Sequence, residues 1–344
     1  MLSSVLVHTP RASTLLYLAG STFLGAVAAV ACSGSPSTGA AQSTADAGGL
    51  LAAIPPPTSP LDGAAPEPDD AGSTAPAPGP DAAPTDAAPD SALPGWTLTW
   101  SDEFDGADGS AADPSKWNQE TGNSGWSNNQ EREYYTPGTA NAVVQGGSLV
   151  ITATDADAGA YTCQYGTCQY TSARFNTSGK FEQAYGRFEA RIQIPRGQGL
   201  WPAFWTLGND IGTVGWPQCG EIDIMENVGK TPSTNYGSMH GPGYSGAHPL
   251  TGSYSLSDGG ALADGFHVYA VEWATGTVSF YVDDILYETR TPADVPDGDV
   301  WVYDHPFFVI LNVAVGGGFP GDPDGTTVFP QTMKVDYVRV YSKT

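Results

Sequence analysis

Three carboxylates fall within six residues of an apolar run, Gly220-Glu221-Ile222-Asp223-Ile224-Met225-Glu226-Asn227. Charges are costly to bury unless they are paired or put to use, so this run constrains everything folded around it. On a plain strand side chains alternate faces. Glu221 and Asp223 therefore share a face, while Glu226, five positions after Glu221, points the opposite way. A β-bulge at Met225 or a neighbour shifts the phase by one and brings all three acids to one face. Ile222 and Ile224 then mark the face that turns to a core.

Short alternating segments bounded by Gly, Pro, Asn or Asp recur on both sides of this run. They are Trp96 to Trp100, Ser148 to Thr154, Lys180 to Ile194, Ala203 to Leu207, Glu221 to Glu226, Asn235 to His240, Phe266 to Trp273, Thr277 to Val282, Phe307 to Val315 and Met333 to Tyr341. That pattern predicts strands. Capped helical periodicity is missing, and Asp113-Pro114-Ser115-Lys116 predicts a single turn at most. Phe266, Val268 and Ala270 alternate with His267, Tyr269 and Val271, which is apolar on both faces, as inside two packed sheets. The expected fold is all-β: a two-sheet antiparallel sandwich with one concave face, in a single domain from 95 to 344.

Composition separates that domain from what precedes it. Residues 1–32 carry Arg11 as their only charge and an apolar, small-residue run from Leu15 to Val30, which predicts an export signal. The run is shorter than the ~20 residues a spanning helix needs. Its end, Ala29-Val30-Ala31-Cys32, resembles a bacterial lipobox that would lipidate Cys32, with ordinary secretion and cleavage near Ala31 as the alternative. Residues 33–94 are mostly Ala, Pro, Ser, Gly, Thr and Asp with no aromatic or basic residue, a composition that builds no core and predicts a disordered tether. The remainder holds 29 acids against 12 bases, a net charge of −17. Nucleic acid is excluded as a partner, because its phosphates need Lys and Arg, and a neutral ligand is favoured over a polyanion. Cys163 and Cys168 are placed to close a small loop disulfide or to remain thiols, and Cys219 has no evident partner. With neither a CxxC pair nor a His cluster, zinc is not expected.

Glycoside hydrolysis uses two carboxyl groups, one to protonate the leaving oxygen and one to attack the sugar or activate water. Glu221 and Glu226 are the candidates, and Asp223 between them is placed to hydrogen-bond one and to hold their proton affinities apart. Convergence of the two to ~5–5.5 Å predicts retention and ~6.5–9.5 Å predicts inversion. Two other readings of the trio are a polar outer strand face and a calcium site, which a strand wraps less well than a loop does. Trp201, Trp205 and Trp216 flank the run and offer flat apolar faces to sugar rings, although any one of them is equally suited to a core.

Glu-Ile-Asp-Ile-Met-Glu resembles the bulged signature of glycoside hydrolase family 16 in its laminarinase-type branch. The similarity extends over Tyr170 to Arg174, Gly179 to Phe181, Tyr185 to Arg191, Gly197 to Trp205, Leu311 to Gly317 and Val335 to Tyr341. The resemblance implies a β-jelly roll with a glycan cleft on its concave face, retention, Glu221 as nucleophile, Glu226 as general acid then base, and Asp223 as their modulator. It implies sugar contacts from Asn129, Arg174, Trp201, Trp205 and His240. No cofactor is implied for catalysis, but a structural calcium is, held by backbone oxygens of Glu103 and Gly147 and the carboxylate of Asp336. Asn128-Asn129-Gln130-Glu131-Arg132-Glu133-Tyr134-Tyr135 is longer than the family's usual form, which leaves the register of Asn129 open. The activity so implied is an exported, monomeric endo-1,3-β-glucanase acting on laminarin-like glucans, touching a membrane only through a lipid at Cys32. Alternatives are a mixed-linkage 1,3-1,4-β-glucan or a galactan as substrate, transglycosylation, and a β-glucan-binding module without catalysis.

Overall fold

The computed structural model describes residues 93–123 and 129–344. The export signal, Cys32 and all of the tether up to residue 92 lie outside the described residues.

Nearly every described element is a strand, and two antiparallel sheets dominate. The seven-stranded sheet runs in the order Leu250–Ser255, Thr234–His240, Glu221–Glu226, Leu200–Gly208, Phe307–Val315, Arg174–Asn176 and Asn118–Glu120. The eight-stranded sheet runs Ile285–Arg290, Thr277–Val282, His267–Ala274, Gly186–Gln193, Gln331–Lys343, Ser148–Ala153 and Ala142–Gln145, with Trp96–Asp102 also paired to Gln331–Lys343. Alternation places Phe188, Ala190 and Ile192 of one sheet against a core shared with Phe204, Ile222, Ile224 and Met225 of the other. Each fully buried aliphatic or aromatic side chain there contributes roughly 1.5–3 kcal/mol over its exposed state. Consecutive neighbours joined by hairpins and non-consecutive ones brought together in both sheets make the expected sandwich.

Two expectations are adjusted. The segment predicted as one strand from Lys180 to Ile194 is a turn followed by the strand Gly186–Gln193. Thr177 accepts backbone bonds from Lys180 and Phe181, Gln183 makes only an isolated bridge with Phe307, and Tyr185 adopts a positive φ of 62°, so the continuous strand begins at Gly186. A four-residue helix, Ile211–Val214, also stands where none was predicted; Asp210 precedes it and Gly215 ends it. Near the cleft a small hairpin, Thr162–Cys163 with Gly166–Thr167, is closed by a disulfide between Cys163 and Cys168, while Cys219 is free and buried.

Candidate active site

The strand Glu221–Glu226 carries the bulge that its spacing requires. Against Leu200–Gly208, Phe204 pairs with Met225 and Trp205 with Asp223, so Ile224 is skipped. Against Thr234–His240, Asp223 pairs with Ser238 and Glu226 with Tyr236, leaving Ile224 and Met225 together opposite Gly237. Both bulge residues are fully buried, so the extra position is spent on the core face and the acids keep the other. Gly237 fits this crowding: a Cβ there would come within 2.3 Å of the Tyr287 hydroxyl on the facing sheet.

Each acid has a distinct set of partners. Trp216 donates its indole N–H to Glu221 Oε2 at 2.8 Å, and Trp201 donates to Glu226 Oε1 at 2.9 Å. His240 Nε2 stands 3.1 Å from Asp223 Oδ2 and 3.8 Å from Glu221 Oε1. Because the Gly246 N–H donates to His240 Nδ1 at 3.1 Å, that bond assigns the ring proton to Nε2, which faces the acids as a donor. Glu221, Asp223 and His240 are grouped closely enough to suggest a metal site. The proton on Nε2 makes the histidine a partner of the carboxylates instead of a metal ligand.

Asp223 and Glu226 are 3% and 9% exposed, and burial raises the proton affinity of the whole trio. Burial, then the charge of Asp223, push Glu221 up to about 8, with Trp216 and His240 opposing. Burial also pushes Glu226 to about 7, with neighbouring His240 and the bonds from Trp201 and Ser238 opposing. Asp223, the most enclosed, is held well above the usual carboxylate range by burial and the charge of Glu226. Burial thus favours the protonated form in all three, and they titrate as one coupled set in which ionising one group raises the proton affinity of its neighbours.

A polar row continues across the same face. Trp205, paired with Asp223, donates to Asn312 Oδ1 at 2.7 Å, and Asn312 donates to the Tyr135 hydroxyl at 3.2 Å. The Arg174 guanidinium lies 4.8 Å from the Trp205 ring centroid and is ion-paired with Glu120. Asn129 sits farther out: its side chain donates to Glu131 Oε1 at 3.0 Å and its carbonyl accepts from Gly318. Thus Trp201, Trp205, Arg174 and His240 gather with the trio, and Asn129 belongs to a rim. Trp216, singled out from the sequence as a platform, joins them through Glu221, while Asn312, Glu120, Tyr236 and Phe319 complete the site without having been predicted. Asn312 left a signal, a lone polar side chain in the otherwise apolar strand Phe307–Val315.

The positions predicted for a cation fall along Gln331–Lys343, a strand inside the eight-stranded sheet, where its pairing passes from Ser148–Ala153 to Trp96–Asp102. Asp102 pairs with Val338 and Leu149 with Val335, so Glu103 and Gly147 both approach Asp336 and Tyr337 on that strand. The Asp336 carboxylate accepts from Arg191 at 2.9 Å, and the Glu103 carboxylate is forked by Arg339 at 3.0 and 2.7 Å.

The family profile described as glycosyl hydrolases family 16 matches residues 129–339. The chain is 42% identical to a beta-glucanase of Rhodothermus marinus over 259 residues, which is 72% of this chain and 86% of that protein. Among solved structures, the catalytic domain of an endo-1,3-beta-glucanase (laminarinase) from Thermotoga petrophila RKU-1 is 49% identical, with a TM-score of 0.67 and coverage of 72% of this chain and 98% of that one. An endo-beta-1,3-glucanase from Pyrococcus furiosus is 46% identical, with a TM-score of 0.68 and coverage of 72% and 95%.

Proposed function

This chain belongs to glycosyl hydrolase family 16, and we propose that it hydrolyses internal 1,3-β-glucosidic bonds of laminarin-like glucans with retention. The observation that carries the reading is the bulged strand with Glu221, Asp223 and Glu226 on one face, flanked by indoles that hold the two glutamates.

In this reading the Glu221 carboxylate attacks the anomeric carbon while Glu226 gives its proton to the departing glucosidic oxygen. The bond to the leaving sugar breaks and an ester to Glu221 forms. Glu226, now ionised, takes a proton from water, which attacks the same carbon and returns Glu221 as a carboxylate. Asp223, protonated or sharing a proton with Glu221, stabilises the glutamate when it leaves the sugar. Trp205, Trp216 and Trp201 are the platforms, and Arg174, Asn129 and His240 the hydroxyl partners. Two inversions at carbon predict the β-anomer as first product. Proton NMR of laminarin during the first minutes of digestion reads it, and initial α-anomer or no new reducing ends would overturn the reading. The relative from Rhodothermus is named without a linkage. Mixed-linkage 1,3-1,4-β-glucan is therefore the second substrate for the same assay.

Asp336 and the backbone oxygens of Glu103 and Gly147 are hard ligands suited to calcium, which would pin Trp96–Asp102 and Ser148–Ala153 to the strand Gln331–Lys343 that both pair with. A calcium there is expected to raise the melting temperature of the parent protein and leave that of Asp336→Ala unchanged. Thermal melts with EDTA and with added calcium read both. Export, with lipidation of Cys32, remains the proposal for residues 1–32 and is read from the mass of the mature N-terminus in the membrane fraction.

A further inference from the structure

Beyond the cleft itself, one charged side chain ties together three otherwise separate segments. Arg132 follows Glu131 and precedes Glu133, both of which are buried, and projects to the opposite side. Its N–H donates to the Val315 carbonyl at 2.7 Å, while the Val315 N–H donates to Glu133 Oε2, also at 2.7 Å. Residues 132 and 133 thus grip both backbone atoms of Val315. The guanidinium then forks Asp322 with bonds of 3.1 and 3.0 Å. On its other flank the ring centroid of Tyr165 lies 5.4 Å away, and the Tyr165 hydroxyl donates to the Arg132 carbonyl.

Tyr165 is the tip of the hairpin closed by Cys163 and Cys168, and its hydroxyl accepts from the Gln169 N–H at 3.1 Å. Asp322 ends the turn that begins at Gly316. In that turn Gly317 has a φ of 111°, and a Cβ on it would stand 2.7 Å from the Asn129 carbonyl, so the turn presses on the segment leading to Arg132. Phe319 is the exposed tip of the same turn. Its ring meets Trp201 edge-on at 5.5 Å and Tyr236 at 5.4 Å. Trp201 holds Glu226, and Tyr236 is the register partner of Glu226. The chain of contacts therefore runs from the disulfide hairpin through Arg132 and Asp322 to an aromatic rim beside one of the two glutamates.

We propose that Arg132 is a positioning residue for glucan binding: by clamping the disulfide hairpin to the Gly316–Asp322 turn it holds Phe319 where a neutral glucan chain crosses the rim. The inference rests on the proposed glucanase reading and adds a specificity element to it. Arg132 is a third exposed and Asp322 more than half, 33% and 57%, so water screens their ion pair, which adds little stability, and its value is geometric. Lysine is no substitute, because it lacks the planar fork that meets both carboxylate oxygens.

Steady-state kinetics on laminarin, with thermal melts, test this on the full protein. Arg132→Ala is expected to raise KM about fivefold with kcat held within about twofold, the size expected when exposed contacts worth ~1 kcal/mol are lost. Arg132→Lys is expected to resemble it. Cys163→Ser with Cys168→Ser is expected to raise KM in the same sense, and the triple variant to exceed neither by more than experimental scatter, because the two changes act through one contact chain. Tyr165→Phe, which removes one oxygen, substitutes if the cysteine pair fails to fold. An unchanged KM, effects that multiply, or a Lys variant that restores the parent would overturn the clamp. A parent without laminarin cleavage would instead overturn the function on which it rests.

Discussion

Glu221→Gln is expected to lose about four orders of magnitude or more in kcat on laminarin while melting at a higher temperature than the parent near neutral pH. The loss follows from chemistry, since a neutral amide cannot form the ester. The gain follows from linkage: burial raises the folded proton affinity of Glu221 from 4.5 to about 8. Between those values the unfolded chain has released a proton that the folded protein retains, so parent stability falls as pH rises through that window. Glutamine removes the slope. A rise on the order of 10 °C at pH 7 and none at pH 4 is expected for a domain of this size. Differential scanning calorimetry at both pH values reads it, and an equal shift at both would sink the linkage. Azide assigns the role: with Glu221→Ala it should enter the vacated space and attack the anomeric carbon from the face opposite the leaving group, giving the α-glucosyl azide. A β-azide from that variant would exchange the roles of the two glutamates.

Glu226→Gln should show a loss that depends on the leaving group. A sugar hydroxyl leaves poorly as an alkoxide and needs the proton, so cleavage of laminarin is expected to fall by roughly 10²–10⁴-fold. A dinitrophenyl glucoside departs without help, so formation of the ester should survive, visible as a burst of phenol followed by slow turnover. The parent carries its own mark of this group. Glu226 is held up to about 7, so the protonated form is present below that pH and lost above it. Cleavage of laminarin should therefore decline on the alkaline side, and that limb should vanish in the glutamine variant. Equal losses on both substrates would remove Glu226 from the acid role.

The parts of this molecule that sequence makes plain are those in which one chemical pattern fills a whole element. Glu221–Glu226, Thr277–Val282 and Phe307–Val315 have the bounds that alternation or continuous apolarity predicts. The bulge follows from parity alone, since five steps between two glutamates cannot serve one face without an irregularity. Three-residue strands such as Asn118–Glu120, Glu133–Tyr135 and Arg174–Asn176 are too short to display a period of two, so they stay invisible until pairing defines them. The edge strands Leu250–Ser255, largely polar, and Ile285–Arg290, whose Ile285 and Leu286 lie exposed, show no clean alternation, which hides them among turns. The site shows the same division. Acids and tryptophans near the signature are legible, whereas Glu120 and Phe319 reach it through pairing with distant strands or from a turn, and contacts of that kind leave no local spacing to read.

The bulge also bears on how such a chain tolerates change in length. Ile224 and Met225 jointly face Gly237, yet every pair on either side of them is in ordinary register. Taking one of the two away leaves Glu221, Asp223 and Glu226 at even intervals, and Phe204 would then meet Ile224 in an uninterrupted ladder. Loss of one residue at this spot is thus absorbed on the core side, where it alters packing volume, and leaves the three acids on one face. The strand with the most chemistry to lose is thus one whose core face can give up a residue while its three acids stay aligned.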